Sequence, residues 1–77
     1  MKNLNEFTAL FAEQLNMGDT NKITPSTAFR NLDEWTSLAA LSVIAMVDDE
    51  FEVALKSADI QESNTIEDLY NRIISKV

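Results

Sequence analysis

The 77-residue chain contains no cysteine and no histidine, and only one glycine and one proline. Without cysteine there is no disulfide staple, no reactive thiolate and no Cys-ligated metal. Without histidine the commonest general base and metal ligand is missing. Together the two absences argue against a self-sufficient hydrolytic or redox enzyme. Basic charge is scarce as well: six Lys and Arg stand against thirteen Asp and Glu, for a net −7. Such a surface repels phosphate backbones and anionic lipid, so nucleic acid and membrane are poor partners and basic protein patches better ones. No apolar run is long enough to span a bilayer, and Met1 to Glu6 lacks the apolar core of a signal peptide, which makes a cytoplasmic address the expectation.

What is present is a globular balance, 45% apolar and 25% charged, in a length that allows one small domain over residues 1–77. Few turn residues and little β-branched alternation point to helices. The first is expected from Asn3 to about Asn16. Asn3 caps it with Glu6 in capping-box register, Leu4, Phe7, Phe11 and Leu15 form its buried stripe, and Gly18 supplies the stop. From Met17 to Trp35 no period holds and Pro25 interrupts. A connection of that length usually serves a function, and Ile23, Phe29, Leu32 and Trp35 could pin it to the helices; the plainer reading is a tethered linker.

The second helix is expected over Ser37 to about Phe51, within the stretch DEWTSLAALSVIAMVDDEFE. Ala40, Val43, Ile44, Val47 and Phe51 follow the spacing i, i+3, i+4, i+7, i+11 and predict the core face. Leu38, Leu41 and Ala45 fall opposite, beside Ser42, Asp48 and Asp49. Leucines there need either a covering element or a partner. Val53 to Leu55 is too short to classify, and Ser57 to about Gln61 predicts a turn or two of helix. A last helix starts at Asn64 or Thr65, with Thr65 and Asp68 in capping-box register and Ile66, Leu69, Tyr70, Ile73 and Val77 as its stripe. The expected fold is all-α: a small four-helix bundle, three longer helices and a short third one, with a long loop between helices one and two.

Ser37 leaves this loop and opens a helix, where free backbone N–H groups and the positive end of the dipole favour an attached phosphate. Thr36 is a preferred capping type. Most serines at helix starts only cap, so the neighbours decide. The segment FRNLDEWTSLAALSVIAMVDDEF, Phe29 to Phe51, resembles the acyl carrier and peptidyl carrier protein family, whose Asp-Ser-Leu motif opens the second helix. Ser37-Leu38 falls on the Ser-Leu of that motif, and DDEF on the acidic end of that helix. The likeness covers nearly the whole chain, FEVALKSADI resembling the link into the short third helix and TIEDLYNRI the fourth.

The resemblance implies a 4′-phosphopantetheine arm attached covalently to Ser37, whose thiol carries acyl or aminoacyl groups as thioesters. It implies a monomeric carrier without catalysis of its own. Its partners would be a phosphopantetheinyl transferase, which supplies base and Mg²⁺, and acyl- or aminoacyl-transferring enzymes with basic docking patches, in fatty-acid, lipid or specialised biosynthesis. Thr36, Leu38, Leu41, Ala45, Asp48 and Asp49 would meet those partners. Thr36 stands where the family usually has Asp. Ala39 and Ser42 replace acids common on the first half of its second helix, which shifts the acidic surface toward Asp48, Asp49, Glu50 and Glu52. Trp35 replaces a small residue of fatty-acid-synthesis carriers and is more similar to carriers of specialised or envelope-related pathways. The alternative, from another class, is an unmodified helical module that binds a partner through Leu38 and Leu41. The acid run does not have the spacing of an EF-hand loop, and no metal is expected.

Overall fold

A computed structural model of the chain describes residues 3–15 and 23–76. Its elements are α1 (Leu4–Gln14), a 3₁₀ turn (Phe29–Asn31), α2 (Ser37–Phe51), α3 (Ser57–Gln61) and α4 (Ile66–Ser75). The described residues form four α-helices and no strand, which is the all-α bundle expected. Asn16, Gly18 and Val77, named above as a helix end, a stop signal and a stripe position, lie outside the described residues.

Two helices start as their capping boxes predict. Asn3 Oδ1 accepts the Glu6 N–H at 2.8 Å and Glu6 Oε1 accepts the Asn3 N–H at 3.3 Å. At the start of α4, Thr65 Oγ1 accepts the Asp68 N–H at 3.2 Å and Asp68 Oδ2 accepts the Thr65 N–H at 3.3 Å. Each box satisfies donors that the helix itself cannot pair. The next donors of α4 are met from the loop: Thr27 O accepts the Ile66 N–H at 3.3 Å and Pro25 O the Glu67 N–H at 2.9 Å. Arg30 Nη2 adds a bond to Asn64 Oδ1 at 3.1 Å. With Ile23 and Phe29 buried and Leu32 and Trp35 packed against the core, residues 23–36 are docked by backbone and side chain alike, as the pinning residues predicted.

The buried apolar side chains form one cluster, with α1 packed against α2 and α4, and α3 against α4. Phe7 meets Phe51 edge to face at 5.7 Å; Phe11 meets Phe29 at 5.2 Å and stacks on Trp35 at 5.7 Å with 7° between the rings. On α2 the core arc is displaced from the one expected. Val43, Val47 and Phe51 are buried as predicted, but Ala39 and Met46 join them, while Ala40 and Ile44 are only partly buried. Ala39 therefore belongs to the core and not to the surface where the resemblance put it. The helix is apolar on most of its circumference, so several arcs fit its wheel almost equally. Contact with α1, which sequence spacing does not contain, selects the arc through Ala39, Val43, Met46 and Val47.

Two residues carry consequences for stability. The α2 cap is Glu52, at φ 57° and ψ 38°, the one non-glycine residue of positive φ among those described; its N–H donates to Asp48 O at 3.1 Å. This left-handed geometry costs an ordinary residue about 1 kcal/mol, and glycine avoids it. Glu52→Gly is expected to raise unfolding stability by about 0.5–1 kcal/mol, and Glu52→Ala, which keeps the penalty, to gain less. Equal gains in chemical denaturation would assign the effect to charge relief instead.

Asp59, on α3, is buried, and its side chain joins three partners. Oδ2 accepts the Lys56 N–H at 3.1 Å, while Oδ1 lies 3.3 Å from Arg72 Nη1 and 3.6 Å from Lys76 Nζ. The backbone bond is the main cause that holds its carboxyl below the ordinary value; burial opposes this, and Lys76 and Arg72 add to the lowering. A lowered carboxylate pKa contributes stability that is present above the unfolded value and lost as pH falls through the folded one. Asp59→Ala is expected to cost about 1–3 kcal/mol near neutral pH, from loss of the charge-assisted bonds. In urea melts the gap to wild type should close as pH drops below about 4, the range of free Asp. A gap that stays constant with pH would make the role one of packing alone.

Candidate functional site

The chain approaches Ser37 through a fixed path. Trp35 N–H donates to Leu32 O at 3.0 Å, and Thr36 adopts an extended conformation (φ −132°, ψ 171°). Thr36 Oγ1 then accepts the Ala39 N–H at 3.1 Å and Thr36 O the Ala40 N–H at 3.0 Å. Thr36 thus performs the capping that an Asp in its place would perform. Ser37 follows as the first helical residue, exposed to solvent. A serine hydroxyl at this position sits beside the unpaired first N–H groups and the positive dipole end of a fifteen-residue helix. An anionic group attached at such a position would be favoured electrostatically.

Beside Ser37 lies a groove of about 620 Å³ between the loop, α2 and α3. Trp35, Ala40, Ile44 and Ile60 give it apolar wall, and Arg30, Thr36, Ser37, Ser57 and Gln61 give it polar rim, with Leu41 at its margin. Ala40 and Ile44, which pack against the core while remaining partly buried, also form groove wall. The groove draws on pieces far apart in sequence; Arg30, Ser57, Ile60 and Gln61 were not singled out for the site, and α3 is too short for a period to have marked Ile60.

Leu38 and Leu41 form the ridge of α2, 72% and 63% exposed. Ala45, Asp48 and Asp49 continue it, and Glu50 and Glu52, exposed but off that line, add acid at the same end of the helix. Ala45 and Asp49 also border a second groove, of about 480 Å³, whose lining includes Leu10, Glu13 and Met46. Leu38, Leu41, Ala45, Asp48 and Asp49 thus lie along one exposed side of α2, with Thr36 exposed at its start and acid gathered at its far end. Among the described residues no cluster of three or more Asp or Glu could hold a metal ion, and no helix is long and apolar enough to cross a membrane.

A family model described as a phosphopantetheine attachment site matches residues 5–73. No curated protein and no solved structure matches the chain.

Proposed function

Because the chain belongs to the phosphopantetheine attachment-site family, we propose that Ser37 is its attachment residue and that it works as an acyl carrier protein. Carrier domains of this family hold 4′-phosphopantetheine covalently and are not enzymes. The observation that supports Ser37 is its position: an exposed hydroxyl, first in α2, next to a capped turn and a groove. In this reading Ser37 Oγ is the nucleophile that takes the arm as a phosphodiester, and a transferase supplies the base. The arm then carries acyl or aminoacyl groups as thioesters to enzymes of fatty-acid, lipid or specialised biosynthesis, in the cytoplasm and as a monomer.

Docking falls to the exposed side of α2. Leu38 and Leu41 offer apolar contact close to the arm, with Thr36 and Ala45 flanking them, and Asp48 and Asp49 steer basic patches toward it. The test is proteolytic mapping of chain co-expressed with a broad-specificity transferase: the adduct is expected on the peptide that holds Ser37. An adduct on Ser26 or Ser42 would overturn the assignment. No adduct with several transferases would leave the unmodified interaction module as the better reading.

A further inference from the structure

The groove beside Ser37 has a charge character opposite to that of the chain. Its lining contains no carboxylate and one cation, Arg30, in a sequence with thirteen acids and six bases. The other cations among the described residues are Lys56, Arg72 and Lys76. Arg72 pairs with Asp59 and Glu62, and Lys76 with Asp59. Arg30 has no carboxylate partner among the described residues; its side chain makes one bond, from Nη2 to the neutral Asn64 Oδ1. A guanidinium has five N–H donors in a fork that fits carboxylate and phosphate oxygens. Asn64, which lies outside the groove and shares a second hollow with Arg30, takes one of these donors, and the others have no partner among the described residues.

We infer that this groove is an oxyanion site for the group attached at Ser37, with Arg30 as the binding residue. The inference rests on Ser37 as the attachment point. Trp35, Ala40, Ile44 and Ile60 would cover the methyl and methylene parts of that group, and Arg30 its anionic part. One chemistry has two sources here: the phosphodiester of the arm, close to Ser37, or a carboxylate at the far end of a short cargo. The second would make Arg30 a specificity residue that favours acids with a free carboxylate over plain alkyl chains.

The absence of cysteine allows a test that no transferase can confound. Ser37→Cys creates a single thiol, and four thiols are attached to it as mixed disulfides: mercaptoethanol, mercaptoethanesulfonate, mercaptohexanol and mercaptohexanoate. Each anionic tether has a neutral twin. At low ionic strength an anion that reaches Arg30 is expected to raise Tm by about 2–4 °C over its twin, the scale of a modest ion pair in a domain this small. It should also move the Arg30 Nε–H resonance. A response of the short pair identifies the phosphodiester position, and one of the long pair the cargo carboxylate. The Tm gain should vanish in Arg30→Gln and persist in Asn64→Ala, which removes only the bond made outside the groove. No response of the Arg30 resonance at either length, or a Tm gain that survives Arg30→Gln, overturns the inference. Because the resonance is read in the protein with Arg30 intact, a poorly folded Arg30→Gln variant would not prevent a decision. Failure of the mapping above with success here would mean that the groove binds anions but that Ser37 is not primed.

Discussion

Ser37→Ala is expected to gain no phosphopantetheine under conditions in which the wild-type chain gains one arm, as read by intact mass. The effect should be complete and not partial, because the other described serines lack its combination of features. Ser26 is exposed but sits in the loop, Ser42 lies mid-helix and half-buried, and Ser63 is buried with its hydroxyl bonded to Asp59 O at 2.7 Å. Ser57 is exposed and opens a helix, but a five-residue one, whose dipole is correspondingly short. The substitution should leave folding intact. Among the described residues the Ser37 side chain has no hydrogen-bond partner, while the cap belongs to Thr36, so a change at an exposed position stays within about 0.5 kcal/mol. A Ser37→Ala variant that still acquires an arm removes the proposed site. One that unfolds shows that the residue is structural.

Phe11→Ala should produce the largest loss of stability. Phe11 is fully buried and touches Phe7, Phe29 and Trp35. Truncation of such a ring costs about 3–5 kcal/mol, a large share of the 5–15 kcal/mol available to a domain. At roughly 4–8 °C per kcal/mol for a chain this size, Tm should fall by more than about 12 °C. Leu41→Ala is the matched contrast. At 63% exposure it should change stability by no more than about 0.5 kcal/mol, yet slow priming or transfer by roughly fivefold or more if the ridge is a contact surface. If Leu41→Ala melts as early as Phe11→Ala, the ridge is buried in solution. If it is both stable and transferred at the normal rate, the docking role of Leu41 is lost while the fold stands.

How far the chain could be read in advance depended on whether the deciding forces were local. Both capping boxes are local, three residues from end to end, and Asn3 and Thr65 fall where they predict. So does the start of α2, because Thr36 precedes an apolar run and its side-chain bond spans three residues. The rotation of α2 is not local. Its wheel is apolar on most sides, and only packing against α1 separates Ala39 and Met46 from Ala40 and Ile44. Asp59 is local only in part: its bond from the Lys56 N–H spans three residues, whereas its cationic partners Arg72 and Lys76 come from the far end of the chain. The groove follows the same rule, since Arg30, Trp35, Ile44 and Ile60 meet only when the loop, α2 and α3 are already in place.

The ring of Trp35 has a use apart from packing. It is the only tryptophan of the chain, two residues from Ser37, with the groove on one side and Phe11 and Phe29, at 5.7 and 4.9 Å, on the other. Tyr70, the only tyrosine, lies against Phe7 and Phe51 instead. Light absorbed at the red edge of the aromatic band therefore excites one indole, held by the core on one side and open to the groove on the other. Its emission colour follows the water in that groove, and a group seated there would shift it to the blue. Arrival and departure of cargo could then be followed in real time, by unlabelled fluorescence, on the natural sequence.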